Sequence, residues 1–363
     1  MSDAEVLVVN TGSSSTKLSL VAADPRYSST VEPGERPLAD ALAAMRPRIH
    51  DLVAVGHRVV HGGGQFTAPV AIDDHVLAAI AACSDLAPLH NRAAVAGIRV
   101  ARAEYPGVPH VACFDTAFHS TMPPAAFTYG GPYSWLEQGL RRYGFHGLSH
   151  QYAATRAAEL LDRHLDGLQL ITCHLGGGCS LAAVQFARSV DTTMGLTPVD
   201  GLVMATRSGS IDPGLLLHLL RRRGVGVDDL EDTLENRSGL LGLSGVSADV
   251  RGVSAARDRG DQRAALALDV FVHRISAGIG AMLAALDGLD AVVFTGGVGE
   301  HAPEIRARAV RPFAWLGLTL DERANLDARR DADISGVDAS VRTLVVTSHE
   351  DVVIAESTRA LLS

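Results

Sequence analysis

Charged side chains interrupt four stretches whose composition otherwise suits a protein core. Arg58 lies inside Val53-Ala54-Val55-Gly56-His57-Arg58-Val59-Val60-His61-Gly62, and Asp115 directly follows the apolar run Val111-Ala112-Cys113-Phe114. His146 sits on the glycine-flanked loop Tyr143-Gly144-Phe145-His146-Gly147, and Arg207 on Met204-Ala205-Thr206-Arg207-Ser208-Gly209. One such interruption is commonly a satisfied ion pair; four, each beside glycine or at a strand end, point to convergence on a cleft. Arginine offers a planar fork to carboxylate and phosphate, histidine can donate to a developing negative oxygen, and an acid can hold magnesium.

Glycine is the second signal: 36 of 363 residues, gathered in Gly62-Gly63-Gly64, Gly176-Gly177-Gly178 and Gly296-Gly297-Val298-Gly299, with a further small-residue turn at Gly12-Ser13-Ser14-Ser15. Each follows or interrupts a β-branched run, so each reads as a tight turn at a strand end. Such turns aim several backbone N–H groups at one point, which is what a polyphosphate needs; taken singly, any one of them also reads as an ordinary β-turn. No cluster continues as Gly-Lys-Ser/Thr, and no G-x-G-x-x-G leads from a strand into a helix, which argues against a P-loop or a Rossmann dinucleotide site. His57/His61 and His146/His150 have i, i+4 spacing, but without H-E-x-x-H they give little support to zinc. A G-x-S-x-G elbow is absent as well.

The elements that must position these residues follow from periodicity. Val6 to Asn10, the turn at Thr11 to Ser15, and Thr16 to Val21 read as a hairpin, and Leu168 to Cys173, His174 to Cys179, and Ser180 to Val184 repeat the plan half a chain later. That recurrence suggests a duplicated domain. Further strands are expected at Leu52–Val55, Val108–Phe114, Ala291–Thr295 and Val341–Thr347. Amphipathic helices are expected at Val76–Cys83, Arg92–Tyr105, Ser149–Leu165, Pro213–Arg223 and Arg263–Leu286. Mixed order of this kind predicts an α/β protein of two lobes, with the cleft between them as the default site.

Composition narrows the function. With 32 basic and 41 acidic residues the net charge is −9, which disfavours nucleic-acid binding through a wholly basic surface. Lys17 is the only lysine. Cys83, Cys113, Cys173 and Cys179 form no C-x-x-C pair and lie in apolar surroundings, as expected of buried thiols in a reducing compartment. The N-terminus lacks the pattern of a secretion signal. The most apolar region, Ala264 to Gly297, carries Asp269, His273, Arg274, Asp287 and Asp290, which reads as too many charges for a membrane span. A soluble cytoplasmic protein is expected.

Six ordered motifs together resemble the acetate kinase family: Asn10-Thr11-Gly12-Ser13-Ser14-Ser15-Thr16-Lys17, Gly56-His57-Arg58-Val59-Val60-His61-Gly62-Gly63, Phe114-Asp115-Thr116-Ala117-Phe118-His119, Arg142-Tyr143-Gly144-Phe145-His146-Gly147, His174-Leu175-Gly176-x-Gly178, and Phe294-Thr295-Gly296-Gly297-Val298-Gly299-Glu300. The resemblance runs from residue 6 to the end. It implies two duplicated actin/ribonuclease H-like lobes around a central cleft, with residues 1–118 as the N-terminal lobe and 119–350 as the nucleotide-binding and dimerisation lobe. The C-terminal helix 351–363 would pack back on the first. The implied reaction is reversible, Mg²⁺-dependent transfer of the ATP γ-phosphoryl group to acetate, giving acetyl phosphate and ADP, with Mn²⁺ as an alternative ion.

Carried over residue by residue, the resemblance assigns Arg58 to the substrate carboxylate, His146 and Arg207 to the phosphoryl oxygens in transfer, and Asp115 to the active-site acid. Asn10 and Glu350 would hold the magnesium. Val60, Leu89, Phe145 and Pro198 would form the methyl pocket. ATP would lie along Lys17, the turn His174, Leu175, Gly176, Gly177 and Gly178, then Asp249, Val250 and Arg251, and the loop Gly297, Val298, Gly299, Glu300 and His301. A homodimer is implied; neither nucleic acid nor membrane is an expected partner. Three departures stand out: Gly177 and His301 occupy positions where the family usually has asparagine, and the stretch Ala22 to Asp51 is short. The competing readings are a propionate or butyrate kinase on the same scaffold, a non-catalytic nucleotide-binding relative, and an actin-like assembly protein.

Overall fold

The computed structural model describes residues 4–12, 15–23, 25–85 and 87–363, with the side chains of residues 35, 85, 88 and 89 outside the description. Ser13 and Ser14 of the first turn, and the side chain of Leu89, therefore lie outside the described residues. Contacts divide the chain into two compact units. The first comprises residues up to Ser120 with Phe145–Tyr152 and His349–Ser363; the second comprises Thr121–Gly144 and Ala153–Ser348.

The sheet of the first unit contains β1 (Glu5–Thr11), β2 (Thr16–Val21), β3 (Pro25–Val31), β4 (Leu52–Val59), β5 (Val70–Ala71) and β6 (His110–Phe114), in the order β3-β2-β1-β4-β6-β5. β1 pairs antiparallel with β2 but parallel with β4, and β4 runs parallel to β6. Buried on both faces, β1 and β6 are nearly continuous apolar runs, as central parallel strands require. The helix Pro88–Glu104 covers one face and the C-terminal helix Glu350–Leu362 the other, the latter placing Val353, Ile354 and Ala355 against Val6, Val8, Val111 and Cys113.

The second unit repeats the plan. Its strands are β7 (Gln169–Leu175), β8 (Cys179–Gln185), β9 (Arg188–Thr192), β10 (Ala291–Thr295), β11 (Ala332–Asp333) and β12 (Arg342–Val345), ordered β11-β12-β10-β7-β8-β9. Again a meander, β7-β8-β9, is followed by parallel neighbours, β10 beside β7 and β12 beside β10, with a short antiparallel edge strand beyond. Two six-stranded sheets of matching topology bear out the duplicated two-lobe α/β reading.

One local expectation is corrected: Gly296–His301, read as a turn, forms a short helix. The apolar helix Gln262–Leu283 is long and apolar enough to cross a membrane by length and composition alone, a test that core helices also pass. Its charges do not interrupt the apolar stripe: Asp269, His273 and Arg274 lie on the exposed face, while Leu268, Phe271, Ile275 and Ile279 are buried. The helix packs against Gly239–Ser244 and Val250–Asp258, as a core helix of the second unit does.

Candidate active site

The first unit gathers charge at the C-terminal ends of its parallel strands, where open α/β sheets place their ligands. Asn10 is near the end of β1, Arg58 near the end of β4, and Asp115 directly follows β6, its N–H donating to the Val59 carbonyl at 3.0 Å. Arg58 grips the fully buried Asp115 with two bonds, Nε to Oδ1 at 2.9 Å and Nη2 to Oδ2 at 2.6 Å. Its Nη1 donates to Asn10 Oδ1 at 3.2 Å, and Asn10 Nδ2 donates to Glu350 Oε2 at 3.3 Å, across 340 positions of sequence. Glu350 Oε2 also lies 3.8 Å from Arg58 Nε. Burial works against the Arg58 charge, but Asp115 and Glu350 outweigh it and hold the guanidinium above its ordinary pKa. Burial likewise pushes the Asp115 carboxyl up, with Arg58 opposing that push.

His146 reaches this network through the backbone. Its φ of 56° is left-handed, an arrangement that costs a non-glycine residue about 1–3 kcal/mol and that collects at functional sites. The turn delivers the His146 N–H to the Asp115 carboxylate, and the Gly147 N–H to the Asp115 carbonyl at 2.9 Å. Gly147 is demanded by this approach: a Cβ there would stand 2.1 Å from that carbonyl oxygen. Phe145 and Val60 are buried nearby in the same unit, Phe145 edge-on to His61 at 5.3 Å between ring centres. Lys17, in register with Asn10 across the hairpin, lies 3.6 Å from Asp351 at the start of the C-terminal helix. Burial alone would raise the Asp351 carboxyl; His349, Lys17 and Ser19 bring it down to about 2.

The second unit encloses a cavity of about 450 Å³ lined by Gly176, Gly177, Ala205, Leu240, Ala248, Asp249, Val250, Arg251, Gly297, Val298, His301 and Ala302. That is a small-molecule volume, with a largely apolar wall and a few polar groups. Of the residues assigned to ATP in this unit, Gly176, Gly177, Asp249, Val250, Arg251, Gly297, Val298 and His301 line it. His174, Leu175, Gly178, Gly299 and Glu300 do not. Leu175 and Gly299 are buried, and Glu300 accepts from the Ser348 N–H at 3.0 Å. Gly177 has nothing within 4 Å of a Cβ position, so its turn opens freely on the cavity. Its carbonyl accepts from the Ala205 N–H at 3.2 Å, which ties the turn to the segment bearing Arg207. Arg207 donates to the Pro198 carbonyl at 3.5 Å and, among the described residues, has no carboxylate within 4 Å. Burial lowers its pKa, with Glu235 and Cys179 opposing.

Sequence reasoning missed Ala205, Leu240, Ala248 and Ala302, small apolar residues without a signature. It also missed Arg306, fully buried, which donates to the Gly299 and Glu300 carbonyls at 2.8 Å each and to Asn325.

Asn10, Asp115 and Glu350 bring hard oxygens together in the first unit, the donor type that magnesium and manganese prefer. No cluster of three or more His, Cys, Asp or Glu suited to a metal occurs among the described residues. A small oxygen set with few protein ligands fits magnesium, which keeps waters and substrate phosphates in its shell.

The acetokinase family profile matches residues 36–356. A curated relative, the acetate kinase of Synechococcus sp. (strain JA-2-3B'a(2-13)), is 47% identical over 399 aligned residues, covering 98% of this chain and 99% of its own. Among solved structures, the acetate kinase of Porphyromonas gingivalis superposes with a TM-score of 0.93 at 35% identity, spanning 99% of this chain and 100% of its own. A propionate kinase from Francisella tularensis subsp. tularensis SCHU S4 gives a TM-score of 0.89 at 37% identity over 98% of each chain. The profile takes in five of the six sequence motifs and the relatives align over nearly the whole chain: the chain belongs to the acetokinase family.

Proposed function

We propose that this chain is an acetate kinase, catalysing reversible, Mg²⁺-dependent phosphoryl transfer from ATP to acetate to give acetyl phosphate and ADP by direct in-line attack. The observation that carries the reading beyond family membership is the Arg58 network. A guanidinium held in place by Asp115 and Asn10 at the ends of parallel strands is a preformed clamp for a small carboxylate. Acetate is ionised at neutral pH, since carboxylic acids have pKa values near 4, so its attack needs no strong general base. Alignment and neutralisation of charge then account for catalysis.

Each side chain has a defined task in this reading. Arg58 orients the carboxylate, and Asp115 positions Arg58 and draws the His146 loop inward through its two backbone bonds. His146 and Arg207 donate to the phosphoryl oxygens. Asn10 and Glu350 would hold the magnesium ion, which neutralises phosphate charge when bound. Val60 and Phe145, both buried in the first unit, border the methyl group. Lys17 contacts ATP, while Gly176, Gly177 and Gly297 offer backbone N–H groups to its phosphates. His174, Leu175, Gly178, Gly299 and Glu300 support those turns, and Asp249, Val250, Arg251, Val298 and His301 flank the nucleoside. The enzyme acts in the cytoplasm as a homodimer. Leu215 and Leu217, each nearly half exposed on the helix Pro213–Arg222, support pairing with a second copy.

The test is a steady-state hydroxamate assay with Mg-ATP and acetate, propionate or butyrate. Acetate is expected to give acyl phosphate with the highest kcat/KM. Propionate should follow within the 10–200-fold that one methylene commonly commands. A clear preference for propionate or butyrate would replace the acceptor while leaving the family reading intact.

A further inference from the structure

Arg207 carries a guanidinium that is only lightly held. Its Nη1 reaches the Pro198 carbonyl at 3.5 Å and Met204 Sδ at 4.0 Å, both at the limit of hydrogen bonding. A long side chain anchored so weakly takes its direction from the backbone that carries it. That backbone is a loop pinched shut at residues 201 and 210. The Ser210 N–H donates to the Gly201 carbonyl at 3.0 Å, and the Gly201 N–H donates back to Ser210 Oγ at 3.0 Å. Inside the loop the Met204 N–H donates to the Arg207 carbonyl at 3.1 Å, folding residues 204–207 back on themselves. Gly209 completes the pinch: its φ is 70°, and a Cβ there would stand 2.5 Å from the Leu202 carbonyl oxygen.

One side chain sits at the centre of this neck. Asp200 Oδ1 accepts from Ser210 Oγ at 2.5 Å and from the Gly201 N–H at 2.9 Å. Its Oδ2 lies 3.6 Å from Arg142 Nη2. Arg142 Nη1 donates to the carbonyls of Thr192, Thr193 and Met194 at 3.1, 2.8 and 2.8 Å, which fixes it to the chain leaving β9. Asp200 thus joins the chain before the loop to the loop's entry and its exit. A carboxylate suits this point because both its oxygens accept, and bonds to a charged acceptor are stronger than neutral ones. Asp200 is also two residues from Pro198, whose carbonyl meets Arg207. We infer that Asp200 is a positioning residue, which aims the Arg207 guanidinium by clasping the ends of its loop. The inference rests on the catalytic role proposed above for Arg207.

The test is a double-mutant cycle on kcat for acyl phosphate formation from the best acid of the hydroxamate assay, with Asp200→Ala, Arg207→Ala and the combined variant. Asp200→Ala should lower kcat about 10–10²-fold, the scale of a small misplacement, with the KM for the acid and the ADP Kd by calorimetry close to wild type. Asp200→Asn, which keeps an Oδ1 acceptor, should recover most of that loss. In an enzyme already lacking the guanidinium, removing Asp200 should lower kcat no further, because the two act as one unit. A purely structural aspartate would instead lower Tm and multiply the loss in both backgrounds. Should Asp200→Ala fail to fold, Ser210→Ala removes one bond of the same clasp and should show a smaller loss, again abolished without Arg207. Wild-type kcat in the single variant, or a multiplicative loss in the combined one, overturns the inference and leaves the acetate kinase reading intact. A wild-type protein that forms no acyl phosphate from acetate, propionate or butyrate overturns both.

Discussion

In the first sheet the parallel strands β1, β4 and β6 run out into Asn10, Arg58 and Asp115; in the second, the topologically matching β7 and β10 run out into Gly176-Gly177-Gly178 and Gly296-Gly297. One strand plan therefore carries two kinds of chemistry. The charged ends must satisfy each other once buried, which produces the tight Arg58–Asp115–Asn10–Glu350 network. The glycine ends need no partners and leave space, which produces a cavity of about 450 Å³. Topology decides where a ligand can bind; the residues at the strand ends decide what it is. Arg207 blurs the division, being a buried cation in the glycine-lined unit.

The sharpest way to break the comparison is a pair of arginine variants. Arg58→Lys keeps the charge but loses the fork that meets Asp115 in two bonds, and Arg207→Ala removes the guanidinium proposed to meet the transferring oxygens. Turnover should fall about 10²–10³-fold in each, with ADP affinity by calorimetry within twofold of the wild type. A large loss of ADP affinity in Arg58→Lys would mean that the first unit's charged set serves the nucleotide.

A smaller effect comes from the histidine pair behind Arg58. His57 Nε2 and His110 Nδ1 are 2.9 Å apart, and His110 Nε2 meets the Tyr105 carbonyl at 3.1 Å. A carbonyl only accepts, so His110 carries its hydrogen on Nε2 and accepts from His57 on Nδ1, with both rings neutral. Burial, His110 and Arg102 push His57 well below its ordinary pKa. The unfolded chain then takes up the proton more readily than the folded one. Stability is full above about pH 6.5 and falls by about 1.4 kcal/mol per pH unit below it until the folded-state pKa is reached. Melting temperatures at pH 8 and pH 5.5 should show a steeper acid loss for the wild type than for His57→Gln; parallel losses would contradict a neutral buried pair.

The smallest expected effect sharpens the glycine side. Gly177 has open space at its Cβ position and no left-handed φ, so Gly177→Ala should change stability by less than about 0.5 kcal/mol in denaturant titration. At Gly147, by contrast, an added Cβ would stand 2.1 Å from the Asp115 carbonyl oxygen. A Gly177→Ala variant as damaged as Gly147→Ala would show that the turn at Gly176–Gly178 is as tightly packed as the loop bearing His146.

Much of this was legible in the sequence where chemistry conflicts with burial. Arg58 and Asp115 stand out because a strand of valines and alanines has no other reason to hold them, and they are in direct contact. Glu350 is different: nothing local distinguishes it, and its link to Asn10 across the whole chain came from resemblance to a family. Edge strands β3 and β9 were missed because their half-exposed, polar residues lack a continuous apolar signal. The helix Gly296–His301 was read as a turn because glycine is a poor helix former. There tertiary bonds outweigh propensity, with buried Arg306 fixing the Gly299 and Glu300 carbonyls.

The most direct test of the account follows the γ-phosphoryl group itself by ³¹P NMR, with the wild-type protein, Mg-ATP and acetate. Acetyl phosphate and ADP should grow in equal amounts, stop when acetate is withheld, and run back to ATP when acetyl phosphate and ADP are supplied. Release of ADP with inorganic phosphate and no acetyl phosphate, or no consumption of ATP at all, would contradict it.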